Sequence, residues 1–486
     1  MTMIKGHAVV MGGSMAGLVA AQALAQHFAR VTVIERDLPS DSDQPRKGVP
    51  QGRHLHVLLA AGLASLERMF PGFRRDALAR GAIEVDIGGF GTLYLRGVLM
   101  PTLQTGCTSL MFSRTALERC VREQVQRREN ITFLSGSSVE ALLGSAAAIT
   151  GVRVRVGPTD SVQEISADLV IDATGRGTKL PAWLKGFGLP QAPEDQVHSK
   201  VSYSSCTVRR GPSHLAGELA WVMTPTPPQT RFGAAQAWEG DRYIVSFTTY
   251  LGEPGPDSYA QMIDYAKGLP YPGLHALLAT TEPLTEIAQM HDATSRRRRY
   301  ERLRRFPSGL LVLGDALCNF NPAYGQGMSV ASLEAEALER CLRSGLAGIA
   351  PRFFAAASKI VDAPWMLATG ADLQWEAIEG KRAFGDGTIN AYVARVIAAA
   401  GQDPVVAERL LRVMHLLSAP SSLFAPSILW RVLRAKTQRV GALGAPQRSD
   451  ALPSNTAKGA REKLGPDMSV LGSPARRRPP TESPPA

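Results

Sequence analysis

The stretch AVVMGGSMAGLVAAQALAQHFARVTVIE, residues 8–35, decides the fold. It opens with an apolar run, Ala8-Val9-Val10-Met11, that reads as a strand buried on both faces and breaks into Gly12-Gly13-Ser14-Met15-Ala16-Gly17. An alanine- and leucine-rich segment then predicts a helix to about Arg30, and Val31-Thr32-Val33-Ile34 predicts a second strand ending in Glu35. Strand, glycine turn, helix, strand and acid follow in the order that a dinucleotide-binding unit requires. Gly12 permits the tight turn, and Gly17 lets the helix pack on the strand. The helix N-terminus offers unpaired N–H groups and a partial positive charge to a diphosphate, while Glu35 accepts hydrogen bonds from ribose hydroxyls. Ser14 stands at the second glycine of the fingerprint, which weakens the pattern but leaves room for a phosphate. A βαβ unit without ligand is the alternative.

A second stretch, GLLVLGDALCNFNPAYGQGMSV at residues 309–330, repeats the logic late in the chain. Its apolar run ends in Gly314-Asp315, Asn321-Pro322 marks a turn, and Gly325-Gln326-Gly327 leads into a helix from Met328. An acid at a strand end holds sugar hydroxyls and a glycine-flanked helix start faces an anion, so the stretch reads as a cofactor seat. Between the two, residues 167–175 form a strand ending at Gly175 that returns the chain to the parallel sheet. Residues 81–110 alternate glycine and apolar residues as strands leaving the first unit. The alternating runs 201–208, 218–223 and 243–250 predict an inserted antiparallel sheet. Trp221, Trp238, Tyr203 and Phe247 would supply an apolar wall if their faces coincide, with core packing the alternative for each.

The polar stretch after Glu35 carries Arg36, Arg46, Lys47 and Arg53, the last three placed to reach phosphates, and Arg114 opens an amphipathic helix as a candidate for a diphosphate. A surface salt bridge is the alternative for Arg114. His54 and His56 have no further ligand set, so packing or capping outweighs a metal role, and no metal site is expected. The run Arg296-Arg297-Arg298-Arg299 reads as a solvated strand or a positive channel, and without a binding motif it does not indicate nucleic acid.

The 486 residues allow two or three domains, and 44% hydrophobic with 20% charged residues is ordinary for a soluble protein. The formal charge of +11 sits partly in the arginine run and partly in the tail, and fits an anionic cofactor and a solvated surface. Cys107, Cys120, Cys206, Cys318 and Cys341 show no CxxC pair, which fits free thiols in a reducing compartment. No long apolar segment or signal peptide is read, so a cytoplasmic location without membrane association is expected. Helical patterns at 391–400, 405–417 and 429–440 predict a cap over the sheet domain or a surface patch, and 441–486 reads as disordered.

The GGSMAG turn with Glu35, the DLVIDATGRG strand end and the GD…NP…GQGM seat together resemble the FAD-dependent monooxygenases of the aromatic-hydroxylase fold, over roughly residues 4–345. The stretches RKGVPQGRHLHVLL, the Ser113-Arg114 opening and GDALCNFNPAYGQGMSVA are similar to bacterial flavin epoxidases of polyether biosynthesis. The resemblance implies an α/β fold with a Rossmann-like, parallel-sheet FAD-binding domain over 1–190 and 301–345. An inserted antiparallel-sheet substrate domain would span 191–300, with a helical C-terminal region over 346–440 and a tail at 441–486.

Carried onto this chain, the FAD contacts fall on Gly12, Gly13, Ser14, Met15, Ala16, Gly17, Glu35, Arg36, Arg46 and Arg114, and on Gly314, Asp315, Pro322, Gly325, Gly327 and Met328. Asp315 would hold the ribityl chain and Pro322 to Met328 would lie against the isoalloxazine. Thr174-Gly175 replaces the broader family's Asp-Gly, and Pro181 stands in place of its later arginine, so NAD(P)H would act directly or through a separate flavin reductase. Ser329 and Glu334 likewise replace asparagine and aspartate, and the WxWxIP motif of flavin halogenases is absent from the sequence. The resemblance implies O2 as co-substrate, a flavin hydroperoxide as the oxygen donor and a small apolar alkene as acceptor. No catalytic acid or base is assigned. An aromatic hydroxylase and a reductase of isoprenoid double bonds are the alternatives.

Overall fold

Strand Ile4–Met11 runs into helix Met15–Ala25 and strand Phe28–Glu35 in a computed structural model that describes residues 4–38, 45–157, 160–270, 272–382 and 385–435. Ile4–Met11 is the central strand of a five-stranded parallel sheet, flanked by Phe28–Glu35 and Ile131–Ser135 on one side and Leu169–Asp172 and Leu310–Val312 on the other. Val9 lies opposite both Thr32 and Val170, and Ile171 opposite Leu311. Val9, Val10, Val170, Ile171 and Leu311 are fully buried, as the continuous apolar runs require of strands covered on both faces. Helix Gly327–Leu342, which follows the seat, packs against Met15–Ala25, so both glycine turns serve one face of the sheet.

The chain leaves this sheet twice. A three-stranded antiparallel sheet, Ser137–Gly144, Ile149–Val156 and Ser161–Ser166, fills the crossover before Leu169–Asp172. The large antiparallel sheet is built on Glu194–Arg209, Ala220–Met223, Arg231–Trp238, Arg242–Thr249 and Ala288–Arg298, with Gly91–Leu95 joining parallel to Ala220–Met223.

Register corrects the expected apolar wall. Phe247 lies opposite Ser204, whereas Tyr203 lies opposite Thr248 one residue along, so the two rings point to opposite faces. Trp221 pairs through Ala235 with Val245 and shares the face of Phe247. There Trp221 meets Tyr94 at 5.4 Å and Phe247 meets Tyr265 at 4.6 Å, both as core. The other face turns Tyr203, Ser205 and Ser246 towards the seat and His54.

The arginine run is neither a solvated strand nor a channel. Arg297 is 1% exposed and reaches Asp362 at 2.7 Å, while Arg298, 3% exposed, binds Glu194 at 3.0 Å and the Ala316 carbonyl at 2.8 Å. Arg299 pairs with Asp195 at 2.5 Å and Arg296 lies 3.5 Å from Glu194. The acids come from the paired strand and from helix Ile349–Asp372, which no pattern in the run itself displays. Helices Asp386–Ala400, Pro404–Met414 and Pro426–Arg434 follow. The segment 441–486, read above as disordered, lies outside the described residues. No helix among the described residues is long and apolar enough to cross a membrane.

Arg298→Leu removes a buried charge and the bond to Ala316 behind the seat, and should cost about 2–3 kcal/mol in urea unfolding. Arg296→Leu, a longer and more exposed contact, should cost under about 1 kcal/mol. Equal losses would contradict this division.

Candidate functional site

The first half of the site is set by close packing. Gly12 has φ +98°, and a Cβ at Gly17 would lie 1.8 Å from the Gly12 carbonyl oxygen, so the helix can start this close to the strand only with glycine there. Ser14 is the N-cap residue, yet its side chain does not cap the helix. Its hydroxyl instead donates to Glu118 at 2.8 Å and accepts from Arg114 at 3.0 Å. The first-turn N–H groups are thus left without a side-chain acceptor, and no acid lies in that turn.

Around the turn, acids and guanidiniums interlock. Glu35 accepts from the Gly13 N–H at 2.9 Å and the Asp37 N–H at 3.0 Å, and Arg46 lies 3.2 Å from Glu35, 3.0 Å from Asp37 and 2.5 Å from Glu118. Arg122 donates to the Gly13 carbonyl and lies 3.5 Å from Glu118. Burial opposes ionisation of Glu118, but Arg114, Arg46 and the Ser14 hydroxyl outweigh it and hold the carboxyl below the usual range. Arg114 is itself buried, and its Nε has no partner, which leaves a donor for an anion. The sequence reading missed Glu118 and Arg122. The spacing of 114, 118 and 122 along one helix was the available signal. Arg36 is placed differently, donating to the Gly48 carbonyl at 3.3 Å on the exposed side, and Lys47 and Arg53 are exposed. Met15 is buried in the core.

The second half abuts the first. A Cβ at Gly314 would fall 2.5 Å from the Ala16 Cβ, which joins the end of Leu310–Val312 to the first turn of Met15–Ala25. Asp315 keeps its side chain 36% exposed, 3.6 Å from Arg176. The Gly327 Cβ position lies 3.6 Å from the Asp315 carboxylate, so acid and helix start are neighbours. Pro322 opens a single 3-10 turn, Gly325 closes it at φ +63°, and the buried Gln326 leaves its side-chain oxygen unpartnered at the helix N-cap. Met328 is again core. Ser329 accepts from the Leu59 N–H at 3.0 Å, and Glu334 accepts from the Gly314 N–H at 2.7 Å. Arg176 was missed, although it follows the glycine of the middle element.

Two histidines border the site as neutral groups. Burial, with Arg53 nearby, pushes His54 down to about 4, and burial with Arg114 nearby pushes His56 down to about 3. His54 bonds Ser205 at 2.9 Å and His56 bonds the His54 carbonyl at 3.0 Å, in line with the packing role expected of them. In the middle element, Thr174 turns its hydroxyl inward to Asp172 at 2.6 Å. Two uncapped helix starts, a buried guanidinium with a free N–H and a half-exposed carboxylate form a donor and acceptor set suited to a diphosphate and a polyol.

Residues 5–354 match the FAD binding domain family. Protein Rv3254 of Mycobacterium tuberculosis is 32% identical over 437 residues, spanning 85% of this chain and 90% of the relative. Among solved structures, p-nitrophenol 4-monooxygenase PnpA from Pseudomonas putida superposes with TM-score 0.61 at 16% identity, covering 86% of this chain and 100% of that one. The flavin-dependent brominase Bmp2 gives TM-score 0.60 at 15% identity, covering 88% and 98%. At these identities the two structures establish a shared fold.

Glu334 provides a pH test. Burial, with Asp315 close by, pushes its carboxyl from 4.5 up to about 8 against the pull of the Gly314 N–H. The folded chain therefore keeps a proton that the unfolded chain releases, so this contribution to stability is full below pH 4.5 and is lost as pH rises through about 8. The melting temperature of wild type should fall relative to Glu334→Gln across that window. Parallel curves would show that Glu334 is ionised in the fold.

Proposed function

The chain belongs to the FAD binding domain family, and we propose that it is an FAD-dependent monooxygenase that places one atom of O2 into a small apolar substrate, most closely an alkene in a polyketide- or isoprenoid-like chain. The observation that carries the reading is the junction of Gly314 with Ala16, which sets the Gly12–Gly17 turn, Arg114, Asp315 and the Gly327 helix start around one space. The N–H groups after Ser14 and the Arg114 guanidinium would take the diphosphate, Glu35 the ribose, and Asp315 the ribityl hydroxyls. The N–H groups at Gly327 and Met328 would face negative charge on the ring. FAD, when bound, supplies the oxygen activation. The protein's part is to orient the acceptor and exclude water, with the Tyr203, Ser205 and Ser246 face of the antiparallel sheet as the opposing surface.

Support for the alkene comes from the RKGVPQGRHLHVLL and GDALCNFNPAYGQGMSVA stretches. Thr174, turned inward in place of an aspartate, supports electrons arriving from NAD(P)H through a separate flavin reductase. The second reading is an aromatic hydroxylase reduced directly by NAD(P)H; the chain shares its fold with PnpA, by name a p-nitrophenol 4-monooxygenase. The brominase likeness concerns the fold, and the tryptophan-rich halogenase motif is absent from this sequence.

Purified protein should show a flavin spectrum and yield a product labelled from isotopic O2, and label from water would overturn the reading. Anaerobic NADPH should reduce the flavin slowly without an added reductase. Rapid reduction, accelerated by a phenol, would select the aromatic hydroxylase. Asp315→Ala should weaken FAD binding at least about tenfold, measured by fluorescence titration.

A further inference from the structure

Beneath the seat lies a buried polar cluster that the cofactor contacts do not use. Asp372, the last residue of helix Ile349–Asp372, is 0% exposed. Its carboxylate accepts from the Tyr324 hydroxyl at 2.7 Å, the Tyr250 hydroxyl at 2.9 Å and the Asn321 amide at 3.0 Å and 3.1 Å. The Asn321 amide also donates to Tyr250 at 2.8 Å, while its carbonyl oxygen accepts from the Tyr203 hydroxyl at 2.5 Å and the Ala323 N–H at 3.1 Å. Tyr203 in turn accepts from the same Ala323 N–H at 2.8 Å, and Trp375 stacks on Tyr250 at 4.5 Å.

This arrangement is expensive. Burial raises the Asp372 carboxyl to about 6 even with hydrogen bonds from Tyr324, Asn321 and Tyr250, and no cation is among the groups acting on it. A buried carboxylate without a counter-charge destabilises a fold unless several donors meet it, and clusters of this kind concentrate at functional sites. Besides Tyr250, what the cluster holds belongs to the turn from Asn321 to Gly325. It takes the Asn321 side chain, the Ala323 N–H and the Tyr324 hydroxyl, which are three fixings within four residues. Asp372 also lies beyond residues 5–354, the segment matched by the family.

We propose that Asp372 and Tyr203 are positioning residues for the flavin, acting through Asn321 and Tyr324 to set the height and tilt of the turn against which the isoalloxazine lies. The end of helix Ile349–Asp372, beyond the family segment, thereby becomes part of the active site. The inference rests on the reading above that residues 322–328 face the ring. Among the described residues no hydrogen bond or ion pair links the cluster to the Gly12–Gly17 turn or Arg114, so it acts on the ring half of the cofactor and leaves the diphosphate half alone.

The test uses Asp372→Asn, which keeps the size but replaces an acceptor by a donor, and Tyr203→Phe, which removes one hydroxyl. Binding of adenosine diphosphate reports the diphosphate half, and binding of FAD reports both halves. Both variants should bind adenosine diphosphate within about twofold of wild type but FAD about tenfold more weakly. In both, the bound flavin should have a shifted visible absorption spectrum and midpoint potential. FAD affinity, spectrum and potential equal to wild type would overturn the proposal. So would parallel losses of adenosine diphosphate, FAD and melting temperature, which mark a purely structural cluster. Should Asp372→Asn fail to fold, Tyr203→Phe decides on the same criteria. Wild-type protein that binds neither ligand would overturn the cofactor reading itself, an outcome separate from these.

Discussion

Steric closeness between two turns far apart in the chain is the constraint on which the molecule is built. The carbonyl of Gly12 occupies the space that a Gly17 side chain would need, and Ala16 occupies the space beside Gly314. These contacts leave no slack in how Met15–Ala25 sits on Ile4–Met11, or in how the end of Leu310–Val312 meets that helix. They bring Arg114, Asp315 and the start of Gly327–Leu342 around the same gap. The chemistry follows from backbone proximity, and the charged side chains refine it.

Charge management is the second theme. Arg46, Arg114 and Arg122 share Glu35, Asp37 and Glu118, and the run ending in Arg299 is matched by Glu194, Asp195, Glu301 and Asp362. The cost of desolvating these ions is offset by their mutual pairing and, for Arg122, Arg297 and Arg298, by hydrogen bonds to the Gly13 carbonyl, Ser358 and the Ala316 carbonyl. Among the buried carboxyls, Glu334 under Gly314 and Asp372 under Asn321 stand outside this scheme, as does Asp172, which Thr174 and Thr178 hold.

The parallel sheet and both glycine turns were legible because buried strands must be apolar and because glycine marks positions where no other residue fits, as at Gly12 and Gly17. Asp315 stood out at the end of an apolar run beside Gly314, and Arg114 in the opening turn of an amphipathic helix. What the pattern concealed was partnership across the chain. Nothing local tells that Arg297 meets Asp362, that Tyr203 faces away from Phe247, or that Asp372 reaches Asn321. Alternation also hid the strands Ser137–Gly144, mostly buried or half-buried, and Ser161–Ser166, almost wholly exposed, because neither has the buried and exposed alternation that marks a two-residue period.

The Asp372 contact has a consequence for how the chain is made. Strand Leu169–Asp172 stays an edge until Leu310–Val312 arrives beside it, and the turn after that strand stays unfixed until the end of Ile349–Asp372 has been synthesised. Contacts so distant in sequence carry a large loop-closure cost and form late. The site therefore closes only after most of the chain has left the ribosome. The Gly12–Gly17 turn is local in sequence, whereas the Asn321–Gly325 turn depends on a partner 51 residues beyond Asn321.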